Sequence, residues 1–258
     1  MLKFVYWIII DRVVLNNKYE LDWGIFPLVE FVLSNRDNIG TKYKNCLDIG
    51  SGAGKHSQIF TDIGLKTTQI DKYSSTSNIK DDFMDYCFNE TFDIIYCSHV
   101  IEHQRNIGNF LDKIFDLLKV DGKLLIAVPK HDPNVMIEGH INCFLTPLFI
   151  QQLVYAGFDL KNGKYLSCGL IENAAIVGKA INFNISERQE SGYEWTKLHQ
   201  ERSFINLKNQ VFNEMTFFHG CKHLSSNDGK SIHISNPENY ILYGINIISK
   251  RFGLDINI

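Results

Sequence analysis

Proline is scarce in this 258-residue chain, at five residues, so no proline-rich stretch marks a linker, and no internal repeat is visible. The six cysteines (Cys46, Cys87, Cys97, Cys143, Cys168, Cys221) are scattered, with no C-x-x-C pair among them. That spacing offers no redox motif, and a disulfide framework belongs to short secreted chains. A reduced, cytoplasmic protein is the expectation. An excess of one charge is also missing. Lys and Arg number 26 against 29 Asp and Glu, a net charge of −3, and the pI is near 6.3. Tracking phosphate needs a basic surface, so overall electrostatics argue against nucleic acid or an anionic membrane as partner. Long apolar runs are absent too. The longest near the N-terminus, Phe4–Ile10, is followed at once by Asp11 and Arg12 and by no small-residue cleavage site. It falls far short of the ~20 residues that span a bilayer, so it reads as a buried strand or helix start.

What is present is ordinary globular composition, 45% hydrophobic and 21% charged. A chain of 29.7 kDa buries roughly 70–75% of its unfolded surface on folding and needs no metal or disulfide staple. Between residues 45 and 130, short apolar runs alternate with longer amphipathic ones. Strands are expected at Cys46–Ile49, Lys66–Ile70, Phe92–Cys97 and Lys123–Val128, and helices at Lys55–Ile63 and Ile107–Lys119, the second ended by Asp121-Gly122. A helix over Thr146–Tyr155 and a strand from Phe158 follow. Strand–helix alternation means parallel pairing through crossover helices, hence a doubly wound α/β sheet. Further on, Ala174–Ile181 reads as a strand, Glu194–Phe218 as an amphipathic helix, and Tyr240–Lys250 as a long strand. Either strand could return to the main sheet.

The first strand runs into Leu47-Asp-Ile-Gly-Ser-Gly-Ala-Gly-Lys-His56, a glycine loop that opens a helix. Glycines there let the backbone pass close to a ligand at the carboxyl edge of the sheet. A dinucleotide loop of the G-x-G-x-x-G type would need glycine where Ser57 stands. A P-loop fails at both ends, with Ile49 at its first glycine and His56 after the lysine. What remains is D-x-G-x-G-x-G.

This pattern resembles that of the class I S-adenosylmethionine-dependent methyltransferases, in particular the small-molecule branch that includes bacterial sugar and polysaccharide O-methyltransferases. The resemblance covers roughly residues 40–165, with its pieces in the family's order. It implies a Rossmann-like, mostly parallel seven-stranded sheet with an antiparallel closing strand and a helical insertion or C-terminal extension. It implies S-adenosyl-L-methionine as cofactor and S-adenosyl-L-homocysteine as product. Asp48, Gly50, Ser51, Gly52 and Gly54 match the loop around the methionine part. Asp71, with Lys72 beside it, matches the acidic residue on the ribose hydroxyls, and Asp82-Phe83 the pair that holds adenine, although Phe83 fits a core position as well. Ser98, His99 and His103 fall on the fourth strand and its Glu-His turn. Gly139-His140-Ile-Asn-Cys-Phe144 resembles the late segment near the acceptor.

Methyl transfer to a hydroxyl benefits from a base near the leaving proton, and histidine suits that task near neutral pH. His140 is the first candidate by its position, and His99 the second. His99-Val-Ile-Glu-His103 also reads as H-x-x-E-H, the inverted zinc-peptidase pattern. Zinc would require both histidines on one well-formed helix, whereas His99 directly follows a strand. No carboxylate cluster suited to Mg²⁺ is evident, and no metal is expected.

One domain is expected: a cap over 1–40, a cofactor core over 41–164, an acceptor-site insertion or dimer arm over 165–239, and a closing strand over 240–258. Tyr193, Trp195, His199, Arg188 and Arg202 could build the pocket for a sugar or nucleotide-sugar. Expected partners are thus a small-molecule acceptor and a second copy in a homodimer, without nucleic acid or membrane insertion. Nitrogen, carbon or quinone-type acceptors stay open. So do two other classes, an NAD-dependent nucleotide-sugar oxidoreductase and a non-catalytic cofactor-binding partner subunit.

Overall fold

The computed structural model describes residues 24–168, 172–181 and 183, with short strands at 13–15, 19–21, 216–217, 221–223 and 232–234. Strands β3 (Asn45–Ile49), β4 (Lys66–Ile70), β5 (Phe92–Ser98) and β6 (Leu118–Pro129) pair in parallel; β3 and β5 are largely buried, whereas at the edge strand β4 only Ile70 is. Apolar runs such as Phe92-Asp-Ile-Ile-Tyr-Cys97 form such strands because both sheet faces are covered. One face carries α1 (Ile25–Asn35) and α2 (Lys55–Asp62), packed on Cys46, Ile94, Tyr96 and Leu125. The other carries α3 (Ile107–Leu117) and α4 (Thr146–Tyr155), packed on Leu47, Ile95, Cys97 and Ile126. Alternate residues of each strand supply the two cores, as a period of two requires.

After β6 come β7 (Phe158–Cys168) and β8 (Glu172–Lys179), and a two-residue β9 (Thr216–Phe217) ends the seven-stranded sheet, in the order β4-β3-β5-β6-β8-β7-β9. β8 is antiparallel to both neighbours, whereas β9 is parallel to β7. The short strands β1 (Val13–Leu15) and β2 (Tyr19–Leu21) form one separate hairpin pair, and β10 (Cys221–His223) and β11 (Ile232–Ile234) another. Doubly wound topology is thus observed, and 172–179 takes the antiparallel place beside β6.

The sheet continues through Lys179. Two expectations need adjustment. Thr216 and Phe217, expected at the end of a helix, instead pair with Lys164 and Tyr165. Asp121-Gly122 does not follow α3 as a turn, because β6 begins directly at Leu118. A Cβ on Gly122 would lie 2.8 Å from Leu118 Cδ1 and 2.9 Å from the Asp93 carbonyl, so its glycine serves close strand packing. The rest of the 194–218 helix and the strand at 240–258 lie outside the described residues. Among those described, no helix is long and apolar enough to cross a membrane.

Phe110 is buried on α3 with its ring 4.9 Å from that of Phe83. Phe110→Ala is expected to cost about 3–5 kcal/mol in a denaturant melt, as lost transfer energy plus a residual cavity. Tyr73→Ala, at a side chain 85% exposed, should stay within about 0.5 kcal/mol.

Candidate active site

Parallel pairing aligns Ile49 of β3 with Ile70 of β4 and Cys97 of β5, so the loops that follow all open at one edge. There a cavity of about 280 Å³ is lined by Asp48, Gly50, Ser51, Gly52, Ala53, Lys55, His56, Tyr96, Ser98 and His99. The structure therefore gathers Asp48, Gly50, Ser51, Gly52, Ser98 and His99, all singled out from the sequence, around one space. Gly54 stands just behind as the N-cap of α2.

The glycine loop is held in a left-handed conformation, with φ of 70° at Gly50. A Cβ on Gly50 would come within 2.3 Å of Val100 Cγ2, so both the dihedral and the close approach demand glycine. Asp71 supports the loop from the side. Its Oδ2 accepts the Gly52 N–H at 2.9 Å, and its Oδ1 accepts the N–H groups of Tyr73 and Ser74 at 2.8 Å. Partial burial pushes the Asp71 carboxyl up, yet these three donors bring it below the ordinary aspartate value.

Asp82 and Lys72 are joined at 3.0 Å, and Asp82 Oδ1 also accepts the Met84 N–H. Those contacts, the backbone bond first, hold the Asp82 carboxyl low. Phe83 is buried against Phe88 and Phe110, so its ring is core. Lys72, Asp82 and Phe83 do not line the cavity.

The histidines divide into two settings. His99, at φ 53°, lines the cavity, and its N–H bonds the Ala127 carbonyl. Its Nε2 lies 3.3 Å from Oε2 of Glu172, a fully buried carboxylate that also accepts the Gly24 N–H at 3.0 Å. A carboxylate can only accept here, which assigns the His99 proton to Nε2. His140 does not line the cavity. Its ring sits 5.0 Å from His103 and 5.5 Å from His131. Burial, then the neighbouring imidazoles, push the His140 pKa below the ordinary histidine value. Glu102, His103 and His140 bring one ligand atom each within 4.8 Å of one another, a grouping absent from the sequence reading. The H-x-x-E-H helix of a peptidase is not formed: only Ile101–His103 is a 3-10 turn.

Sequence reasoning missed Glu172, Tyr96 and His56. Tyr96 donates its hydroxyl to the Gly24 carbonyl at 2.8 Å and meets His56 Nδ1 at 2.9 Å. A tyrosine inside an apolar strand gives no sign of this, and Glu172 lies in a segment whose pairing partner is remote in sequence. The aromatic and basic residues at 188–202 lie outside the described residues.

Asp48 is buried beneath the loop and accepts the Ser57 hydroxyl. Burial pushes its carboxyl up to about 7, opposed by that hydrogen bond and aided by the charge of Asp71. The folded chain thus holds this proton more tightly than the unfolded chain. Its contribution is full below the ordinary value of 3.8 and is lost as pH rises through about 7. The difference in melting temperature between the natural chain and Asp48→Asn should shift against the natural chain over that window. A difference independent of pH would contradict the assignment.

Residues 25–147 match the family model described as a methyltransferase domain. No curated protein matches the sequence. Similar solved structures include a 1,6-didemethyltoxoflavin-N1-methyltransferase of Burkholderia thailandensis with bound 1,6-didemethyltoxoflavin and S-adenosylhomocysteine, at 18% identity and TM-score 0.49, over 59% of this chain and 77% of that one. Another is the N-methyltransferase NodS of Bradyrhizobium japonicum WM9, at 18% identity and TM-score 0.46, over 59% of this chain and 93% of that one. A SAM-dependent methyltransferase of Archaeoglobus fulgidus is 15% identical with TM-score 0.46, over the same shares. The glycine loop and the carboxylate clamp beside it both lie within residues 25–147, the segment that matches a methyltransferase domain.

Proposed function

We propose that this enzyme O-methylates a hydroxyl of a small polar acceptor, a sugar or nucleotide-activated sugar, in cytoplasmic polysaccharide assembly. The observation that carries the oxygen acceptor is the His99–Glu172 pair at the rim of the glycine-loop cavity. His99 is the base in this reading, with Glu172 held 3.3 Å from its Nε2. Glu172 then stabilises the imidazolium that forms. His99 replaces His140 as the preferred base, because His99 lines the cavity and His140 does not.

In this reading the Gly50–Gly54 loop takes the methionine part of the cofactor. Asp71 meets the ribose hydroxyls, Asp82 with its backbone meets the adenine, and Lys72 keeps Asp82 in place. The acceptor oxygen attacks the methyl carbon in line. The sulfur–methyl bond breaks with its electron pair going to sulfur, and the hydroxyl proton passes to the His99 imidazole. The donor is already activated by its positive charge, so alignment and exclusion of water are the protein's main contributions. Residues 165–239 beyond the sheet supply acceptor contacts or a homodimer contact.

The test is a methyl-transfer screen over nucleotide-activated sugars with isotopically labelled S-adenosylmethionine, repeated on two variants. His99→Ala should lower kcat by about 10²–10⁴-fold, the usual yield of a positioned base. Glu172→Gln should lower kcat less and shift the pH–rate profile, because it orients and charges the imidazole without touching substrate. Full turnover by His99→Ala, or transfer only to amine acceptors, would overturn the hydroxyl reading.

A further inference from the structure

A second cluster beside the cavity has no role in the chemistry above. The Glu102 side chain is 1% exposed, yet neither carboxylate oxygen accepts a hydrogen bond. Leaving a buried carboxylate in that condition is costly, and native structures rarely do so without a reason. The nearest groups are imidazole nitrogens at distances too long for hydrogen bonds: His103 Nε2 at 3.6 Å and His99 Nδ1 at 3.8 Å from Oε1. His140 Nδ1 is likewise buried without a hydrogen-bond partner.

The backbone fixes this arrangement. The Glu102 carbonyl accepts the N–H groups of Ile141 and Asn142 at 3.0 and 3.1 Å, which pins the loop carrying His140 to the 3-10 turn carrying Glu102 and His103. His103 Nδ1 lies 2.8 Å from the Gly139 carbonyl. Since a carbonyl only accepts, Nδ1 carries the proton and Nε2 keeps its lone pair on the side of Glu102. This is how metal-ligating histidines are commonly held, with the far nitrogen donating to a backbone carbonyl. Two ligands of a tetrahedral ion with bonds of ~2.0–2.1 Å stand roughly 3.4 Å apart. The 3.6 Å between Glu102 and His103 is near that spacing.

We propose that Glu102, His103 and His140 form a binding site for one divalent transition-metal ion of the Zn²⁺ or Co²⁺ type. Two imidazoles and one carboxylate favour such ions over Mg²⁺, which prefers oxygen ligands and water. A three-ligand set leaves at least one coordination position open, the mark of a catalytic rather than a structural site. His99 joins this cluster to the cavity, so that position is suited to an acceptor hydroxyl whose acidity the ion would raise. This last role rests on the hydroxyl-methylation reading, whereas binding of the ion does not. The expectation of no metal from sequence is revised accordingly. Its reason is plain: His140 is 37 residues from His103, and only the loop clamp brings them together.

The test uses the full chain after dialysis against a chelator, titrated with Co²⁺ and followed by visible d–d absorption, with stoichiometry from equilibrium dialysis and competition by Zn²⁺. One ion per chain is expected, with the intense visible bands of a low-coordinate site. Glu102→Gln and His140→Ala should each weaken binding by at least about tenfold, since even outer-shell changes cost that much. His103→Asn, at a half-exposed side chain, serves as the variant that folds if the buried changes do not, with melting curves as control. Failure of the natural chain to saturate with Co²⁺, or equal affinity in every folded variant, would overturn the site. Metal binding without transfer to any hydroxyl acceptor would uphold the site while rejecting the function proposed above.

Discussion

Parallel pairing of β3 with both β4 and β5 is the constraint on which the site depends. It brings the carboxyl ends of three strands to one edge in register, so that the glycine loop, Asp71 and Ser98-His99 meet although they are spread over about fifty residues. A shift of one residue would turn each strand's buried set to the opposite face and separate these groups. Burial on both faces makes such a slip costly. The side chains of α1 and α2 lock one core and those of α3 and α4 the other. The site is thus a by-product of sheet register, secured by the apolar alternation that also stabilises the fold.

Strand β8 extends this logic in the opposite direction. Because it runs antiparallel to β6, its first residue rather than its last reaches the active edge, and Glu172 is paired there with Pro129. From that position the carboxylate reaches both Gly24, at the start of α1, and His99, at the end of β5. One buried acid therefore ties an N-terminal helix, a central strand and the late antiparallel strand to one point. Removal of it would take one partner from the His99 imidazole and one from the Gly24 N–H.

The parts written in local pattern were readable from the sequence: the strand cores at 46–49, 66–70 and 92–97, the α4 helix and the glycine loop. Period and turn residues are properties of neighbouring positions, so a single sequence carries them. The parts that depend on distant pairing were not readable. Nothing near Glu172 announces that a strand 73 residues away supplies its histidine. Likewise, the sequence explains Gly50 by backbone approach to a ligand, whereas the structure adds the side chain of Val100 as a second reason. The family resemblance implies ribose contacts for Asp71, and in the folded chain its oxygens also brace the loop. The His103–His140 proximity arose in the same way, through hydrogen bonds from a distant loop to the Glu102 carbonyl.

The central claim is that the loop after β3, braced by Asp71, is a site for a sulfonium nucleoside and not for a nicotinamide dinucleotide. Calorimetric titration of the full chain with S-adenosylmethionine, S-adenosylhomocysteine and NAD(H), repeated on Asp71→Ala, tests it most directly. Saturable binding of the two sulfur compounds, weakened in the variant, with no heat from NAD(H), is the expected result. Binding of NAD(H) with no response to S-adenosylhomocysteine would contradict it.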